Sequence, residues 1–574
     1  MGRPDRIERE TLRQEILCIK NGIVALRRPP VLRAGRRPGA GKKGRNVMAT
    51  LFHGITCADL YDRSVGAFRS RTAILFNDET YTYDELQKNA YSLAHALDKL
   101  GLKKGDRVAF LMANCPEYIF CEYALGKLGL VRVPLAVLLT SKDHIYMVNQ
   151  SECKALIYHG RMAGRVQEMI PLLETVKQFI CVAQDPATVT SGHAHLQSLI
   201  AANPPKAPKV PIECTDLVGI YYTGGTTGLP KGVMMDHNTW VGTFISEMLH
   251  LGLDWDEVFA FATPLTHAGG CLILPILLKR GTCEIQDHFD PKLFLERVEK
   301  VKVTTTFIVP TMIYVLLDYP DLKKYDLASL RNIIYGASAI APARLKQAVD
   351  TLGPIFSQLF GQTESPMMIS ALSRQEHVIE DPERRMRIYT SCGRPVMTAD
   401  VRIVDENGKE LPRGEAGDIV CRTINMMTGY LKNPEQTAET IRDGWLWTGD
   451  VGKFDEEGYL YIVDRSKDMI ISGGFNIFPR EIEDVLHEHP AVKNVAVVGV
   501  PHEKWGEEVT AVVSLHAGKT ASEKELVQFV KERKGSLLAP KSVKFWDEIP
   551  LTNLGKLDKK KIREMFWKGM DRKV

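Results

Sequence analysis

The sequence predicts an α/β protein: a large N-terminal domain of mostly parallel sheets flanked by helices, followed by a small α+β C-terminal domain. Three observations predict it. The chain has 574 residues, more than a single hydrophobic core usually serves. From residue 81 onward, helical apolar spacing alternates with short apolar runs, the rhythm of strand–helix–strand units joined by right-handed crossovers. After "DGWLWTGD" the texture changes to a turn-rich stretch, then mixed strand and helix, then a lysine-dense tail.

The elements follow in order. "YDELQKNAYSLAHALDKLG" reads as a helix with Asp84 as its N-cap and Gly101 as its stop. "DRVAFLM" reads as a buried strand, "CPEYIFCEYALGKLG" as a helix and "VRVPL" as another strand. "TTTFIVPTMIYVLLDY" and "LRNIIYGASAIAPARLKQAVD" are further strand-to-helix units. Beyond a joint expected between Asp464 and Asp468 come a helix opened by Pro479, strands "VKNVAVVGV" and "EVTAVVSL", and the amphipathic helix "SEKELVQFVKERKG". The expected divisions are a basic leader over 1–47, a core domain over 48–464 and a C-terminal domain over 465–574. No repeat of solenoid length is visible.

Composition is that of an ordinary soluble protein, 44% hydrophobic and 25% charged. The eleven cysteines contain no C-x-x-C pair and no Cys/His cluster at zinc spacing, which points to reduced thiols in a cytoplasmic protein. Before Met48 there are thirteen Lys/Arg and four Asp/Glu, a balance of +9; the remainder carries 61 basic and 66 acidic residues, or −5. The leader's four acids and lack of serine fit a transit peptide badly. It reads instead as a disordered segment, translated upstream of a start at Met48. The acidic body offers no nucleic-acid surface. The run "CLILPILL" stops at Lys279, short of the roughly 18 apolar residues that a membrane span needs.

The stretch "IYYTGGTTGLPKGVMMDH" concentrates the chemistry. "LVGIYYT" reads as a buried strand, so the glycine cluster sits at a strand's exit. Glycines let backbone N–H groups approach an anion, threonine hydroxyls add donors, and Lys231 supplies a full charge. That is phosphate-binding chemistry. Neither the Walker pattern nor the dinucleotide fingerprint fits the spacing. "GVMMDH" continues as a strand, so no helix dipole assists.

"YTGGTTGLPKG" resembles the signature loop of the adenylate-forming superfamily of acyl-CoA synthetases, luciferases and peptide-synthetase adenylation domains. Six further segments match in the family's order: "PLTHAGG" (264 to 270), "YGASAI" (335 to 340), "FGQTES" (360 to 365), "WLWTGD" (445 to 450), "DRSKDMIISGGFNIFPREIE" (464 to 483) and "LTNLGKLDKKKI" (551 to 562). The similarity extends from about Thr50 to about Phe566 and implies the adenylate-forming enzyme fold. One departure is Gly224, where the family more often has serine; it removes a side-chain donor.

The resemblance implies that a carboxylic acid and ATP, with Mg2+, give acyl-adenylate and pyrophosphate, and that the acyl group then passes to a thiol, coenzyme A. It places Thr223, Gly224, Gly225, Thr226, Thr227, Gly228 and Lys231 on the phosphates, with Gly336, Ala337, Ser338, Gly361 and Gln362 also on the nucleotide. Phe360 is implied to pack on adenine, and Thr363 and Glu364 to meet the α-phosphate. Glu364 with Thr227 would hold magnesium, an oxygen-ligand role. Asp450 and Arg465 are implied at the ribose hydroxyls; without the family register they read as a turn residue and a surface pair.

Lys556 resembles the catalytic lysine of the small domain, where an ammonium offsets charge as carboxylate attacks the α-phosphate. The neighbouring lysines 559, 560 and 561 are expected to be solvated or weakly attracted to anions. Lys467 matches the family's hinge. Gly473 and Gly474 resemble the loop lining the pantetheine tunnel, and Trp505 stands where some ligases stack the CoA adenine, although a tryptophan before a glycine turn also suits a core. Lys534 and Lys541 are nearby candidates for the CoA phosphates.

The segments that line the family's acid site, "FIVPTMIYVLL", "YGASAI" and "SPMMIS", are apolar here and favour a hydrophobic fatty or aryl acid. No aspartate follows "PLTH" to pair with an amino group. His267 suits a gate or carboxylate neighbour and a core histidine equally. The alternatives are a luciferase-like adenylating oxidase and a catalytically silent nucleotide- and acyl-binding protein. Oligomeric state stays open, a dimer among the options.

Two outcomes are expected. Lys556→Ala lowers adenylate formation at least about a hundredfold while supplied acyl-adenylate still reacts with thiol; equal damage to both half-reactions refutes the assignment. Lys467→Pro fixes φ and spares at most one half-reaction; normal turnover moves the hinge elsewhere.

Overall fold

A strand can return to the same edge of a parallel sheet only through a crossover of a dozen or more residues, and here those crossovers are largely helices. The computed structural model describes residues 54–568 apart from 224–229, 466–467, 473–474, 503–504 and 553–556. The 1–47 leader lies outside the described residues.

The first sheet has nine described strands in the order Arg394–Pro395, Ser365–Leu372, Phe356–Gln362, Asn332–Gly336, Thr305–Ile308, Val258–Phe261, Thr282–Ile285, Thr72–Phe76 and Glu79–Thr82. Pairing is parallel from Phe356–Gln362 across to Thr72–Phe76 and antiparallel at both edges. The second sheet runs Gly429–Tyr430, Lys231–Asp236, Leu217–Thr223, Val131–Pro134, Arg107–Leu111, Ala155–His159, Gln178–Val182 and Ala194–His195. Its first two pairings are antiparallel and the rest parallel.

Two helices show how the sequence sets these crossovers. Tyr83–Lys99 is capped by Thr82: Glu85 N–H donates to the Thr82 hydroxyl, and Glu85 Oε2 accepts from Thr82 N at 2.8 Å. The expected N-cap, Asp84, lies in the first turn and pairs with Arg69 and Lys88. The reciprocal T-x-x-E box satisfies two backbone donors at once, which a lone aspartate inside the helix does not. Gly101 follows the C-terminus at φ 88°, as expected of a stop. Pro116–Leu128 opens on proline, whose missing N–H costs nothing there, and ends at Gly129 with φ 65°. Both helices bury apolar faces in a core that also takes Ile74, Phe259 and Phe261 from the first sheet and Val108, Phe110 and Ile157 from the second.

A third, antiparallel sheet joins Ala399–Val404, Gly417–Thr423, Trp445–Phe454, Ile441–Arg442 and Leu460–Arg465. The fourth begins at Ile470–Ser472 and takes Phe475–Ile477, Val492–His502, Gly506–Leu515 and Ser542–Phe545. The change of sheet thus falls between Arg465 and Ile470. Helices Pro479–His487 and Glu523–Leu538 cover the fourth sheet around a core that includes Ile477, Ile482, Val497, Val513 and Val530. No described helix is long and apolar enough to cross a membrane.

Capping gives a stability test. Thr82→Ala is expected to cost about 1 kcal/mol and Asp84→Ala less than about 0.5 kcal/mol, read as shifts of the same urea transition. The reverse order contradicts the Thr82 cap.

Candidate functional site

Loops at the C-terminal ends of parallel strands are where open α/β sheets bind ligands, and most of the described sequence candidates stand there. In the first sheet, Asn332–Gly336 and Phe356–Gln362 are adjacent, with Gly336 opposite Leu359. The first strand exits through Ala337, at φ 64°, and Ser338. The second carries Phe360, Gly361 and Gln362 to its end, and the Gln362–Ser365 pair closes a turn that holds Thr363 and Glu364. Glycine is needed at 361 because a Cβ would stand 2.6 Å from the backbone N and C of Met367, itself at φ 63°.

In the second sheet, Leu217–Thr223 leads into the glycine cluster and Lys231 opens the antiparallel return strand, opposite Thr223. Gly224, Gly225, Thr226, Thr227 and Gly228 lie outside the described residues. Only Val218 to Ile220 of the incoming strand are buried; Tyr221 to Thr223 are half-buried as they approach the loop.

What joins the two strand ends is Tyr430. Its strand pairs with Lys231–Asp236, Tyr430 opposite Val233, and its hydroxyl donates to Glu364 Oε1 at 2.7 Å. The Lys231 Nζ stands 5.0 Å from the Tyr430 ring centroid, within cation–π range. Burial, then the Glu364 carboxylate, push the Tyr430 hydroxyl up, so it remains a donor. Further bonds fix the same segment to the turn: Met427 N–H donates to the Glu364 carbonyl at 2.8 Å, and Ser365 and Thr423 hydroxyls meet at 2.9 Å. Thus Glu364 and Lys231 are brought together, with Phe360 through Thr363 on the same strand and turn. Tyr430 was not among the sequence candidates; "MMTGYLKNP" carries no local signal for a partner 66 positions away.

Asp450 lies in the third sheet, buried, with its N–H donating to the Thr448 hydroxyl at 3.1 Å and its backbone opposite that of Arg465. The Arg465 side chain lies outside the described positions. Phe360 is half-buried against Cys392, Ile403, Ile419 and Leu460, and the Cys392 and Cys421 thiols both feel the Asp450 charge. The first sheet's strand end therefore meets the third sheet in the neighbourhood of Asp450.

His267 stands half-buried at the start of the helix Ala268–Cys271. Its carbonyl accepts from Gly270 N–H at 2.9 Å, a close turn in which a Cβ on Gly270 would sit 2.0 Å from the Leu265 oxygen. Of the acid-lining segments, Ile313, Leu316, Ile340, Met367 and Met368 are buried.

In the C-terminal region, Trp505 is half-buried and stacked on His502, centroids 4.3 Å apart, with Lys541 Nζ 5.8 Å from its ring. Its ring thus packs on a polar ring beside a cation, and no apolar cluster among the described residues includes it. Lys467, Gly473, Gly474 and Lys556 lie outside the described residues. Lys559, expected to be solvated or weakly attracted to anions, is mostly covered and paired with Glu483 at 2.8 Å; Glu483 also accepts from Val497 N–H, which anchors it under the helix Lys559–Phe566.

A magnesium ion fits this donor set. It takes hard oxygen ligands, commonly one or two carboxylates plus substrate phosphates, and Glu364 offers a carboxylate, bonded to the Tyr430 hydroxyl whose ring lies by Lys231. Among the described residues no cluster of three or more His, Cys, Asp or Glu forms an all-protein metal cage.

The family model of the AMP-binding enzymes matches residues 61–431, and that of the AMP-binding enzyme C-terminal domain matches 481–556. The chain is 39% identical over 531 residues to a medium/long-chain-fatty-acid–CoA ligase, FadD8, of Mycobacterium tuberculosis, covering 89% of this chain and 90% of that one. It is 36% identical to a feruloyl-CoA synthase of an Amycolatopsis species, covering 86% and 96%. Among solved structures, the amide bond synthetase McbA from Marinactinospora thermotolerans superposes with a TM-score of 0.81 at 30% identity, covering 89% of this chain and all of that one.

Gly361→Ala is expected to push the Met367 backbone away and displace the turn that carries Thr363 and Glu364. ATP-dependent pyrophosphate release should fall at least about tenfold, in line with the steep cost of misplacing catalytic groups. Unchanged release removes that turn from the site.

Proposed function

The chain belongs to the AMP-binding enzyme family, and from that premise we propose that it is an AMP-forming acid–CoA ligase acting on a hydrophobic fatty or aryl acid. The observation that carries this reading is the Tyr430 bridge, which gathers Glu364 and Lys231 from the strand ends of two different sheets. In the first step a carboxylate oxygen attacks the α-phosphorus of ATP, the bond to the β-phosphate oxygen breaks, and pyrophosphate leaves. In the second, the CoA sulfur attacks the acyl carbon and AMP leaves.

Each group has a task in this reading. Lys231, with Thr223 and the loop 224–228, holds the phosphates. Glu364, with Thr227, holds the magnesium, which when bound supplies charge neutralisation of the phosphates. Gly336, Ala337, Ser338, Gly361 and Gln362 line the nucleotide, Phe360 packs on adenine, and Thr363 meets the α-phosphate. Asp450 and Arg465 hold the ribose hydroxyls. Lys556 offsets charge between the attacking carboxylate and the phosphate. His267 would gate the acid or neighbour its carboxylate.

The proposed division is a core over 48–464 and a lid over 465–574 turning about Lys467; the change of sheet between Arg465 and Ile470 supports it. CoA as the thiol is supported by the Trp505–His502 stack with Lys541 beside it, an aromatic face and a cation suited to an adenine and a phosphate; Gly473 and Gly474 would line the pantetheine path. A cytoplasmic location is supported by ten described cysteines, all free and buried.

Likeness to an amide bond synthetase keeps an amine acceptor as a second reading. A panel of carboxylic acids incubated with ATP, magnesium and either CoA or an amine, scored by product mass and pyrophosphate, tests both. Thioester with at least one hydrophobic acid is expected. Amide without thioester favours the second reading, and no pyrophosphate with any acid overturns the ligase assignment, leaving a silent binding protein. Product that requires oxygen and emits light points to the oxidase.

A further inference from the structure

The helix His237–His250 packs against the strand Ser365–Leu372, one of the apolar segments assigned to the acid. Trp240, Phe244 and Glu247 are spaced four and three residues apart and so share one helix face. Trp240 and Phe244 stack with centroids 5.6 Å apart; with Leu274 of the facing helix Ile273–Leu278 they form one wall of a small cavity whose other walls include Tyr61, Glu122 and Arg132, and Glu247 does not line it. Glu247 comes next on that face. It is completely buried, and neither of its carboxyl oxygens has a hydrogen-bond partner among the described residues. The indole N–H of Trp240, on the same face, also lacks one.

The hydroxyls nearest in sequence are already committed, Thr243 to the Thr239 carbonyl and Ser246 to Thr398. Glu247 is an electrostatic neighbour of the Cys271 thiol, which burial pushes up, and Cys271 ends the short helix that starts after His267. Burial alone pushes the Glu247 carboxyl well above its ordinary range, so it is neutral, with one O–H donor and a carbonyl acceptor to place. Buried polar groups are almost always paired, and one that is not calls for an explanation.

We propose that Glu247 is a specificity-determining residue of the acid site, which pairs with a hydroxyl group on the distal part of the carboxylic acid. This deepens the acid–ligase reading and rests on it. A hydroxyl both accepts from and donates to a protonated carboxyl, which matches the unmet capacity one for one. An ammonium is the poorer occupant, because it would ionise Glu247 within an apolar wall where charge pairs do not recover their desolvation. The preferred substrates are therefore hydroxylated hydrophobic acids.

The test compares wild type, Glu247→Gln and Glu247→Leu on decanoic and 3-phenylpropanoic acids, each plain, with a terminal or para hydroxyl, and with an amine there. Wild type should favour the hydroxylated member in kcat/KM by at least about tenfold, as sites built around a substrate hydroxyl do. Glu247→Gln, still a donor and acceptor, should keep most of that ratio, and Glu247→Leu should lose it while plain acids improve. An equal ratio in all three proteins, or a wild-type preference for the amine, overturns the inference and leaves ligation standing. If no acid releases pyrophosphate, the ligase reading falls. Acid binding followed by Trp240 fluorescence then decides separately: tighter binding of hydroxylated acids to wild type than to Glu247→Leu supports the Glu247 role, and equal binding overturns it.

Discussion

The hydrogen bond from the Tyr430 hydroxyl to the Glu364 carboxylate is the interaction on which the site depends. Each large sheet brings only part of the proposed site to its strand ends: one supplies Thr223 and Lys231, the other Phe360 to Glu364. The segment from Thr423 to Leu431 crosses from one to the other. It meets the turn through Thr423, Asn425, Met427 and Tyr430, and meets the return strand through Thr428 and Leu431. A hydrogen bond to an ionised acceptor is roughly twice as strong as a neutral one. Held by it, the acid that is proposed to carry magnesium is oriented before nucleotide arrives, which lessens the reorganisation left for the reaction.

The C-terminal region obeys a different demand. If Lys556 is to act in one step and withdraw in the next, the region must keep its own core through the motion. Its sheet has one, with Ile482, Val497 and Val530 buried together. Ion pairs lie within it, Lys559 on Glu483 and Arg563 on Asp468, both mostly covered. Across the proposed joint, Arg480 donates to the Ile462 carbonyl, a polar contact of the kind that exchanges readily with water.

The fold was legible because its signals are local. Strand and helix periods, the proline at 116 and the glycine at 129 act within a few residues, and they survive in the structure. The N-cap at Thr82 is legible too, in the T-x-x-E spacing to Glu85, although Asp84 beside the apolar run is a competing cap signal. Lys231 announced itself through the glycines and threonines around it, and Glu364 through its motif. Tyr430 and the Lys559–Glu483 pair could not be read, because their partners are 66 and 76 positions away and only tertiary folding chooses them. Glu247 is intermediate: an acid on the same helix face as Trp240 and Phe244 is a visible anomaly, yet its lack of a partner is a fact of packing alone.

A double-mutant cycle on ATP–pyrophosphate exchange tests the central link most directly, using Tyr430→Phe, Glu364→Gln and the pair. Residues sharing one hydrogen bond couple by roughly 0.5–3 kcal/mol. The pair should therefore be impaired by clearly less than the product of the single effects, and Tyr430→Phe alone should raise the magnesium needed for half-maximal exchange. Strictly additive losses, with an unchanged magnesium requirement, would contradict a site held together by that bond.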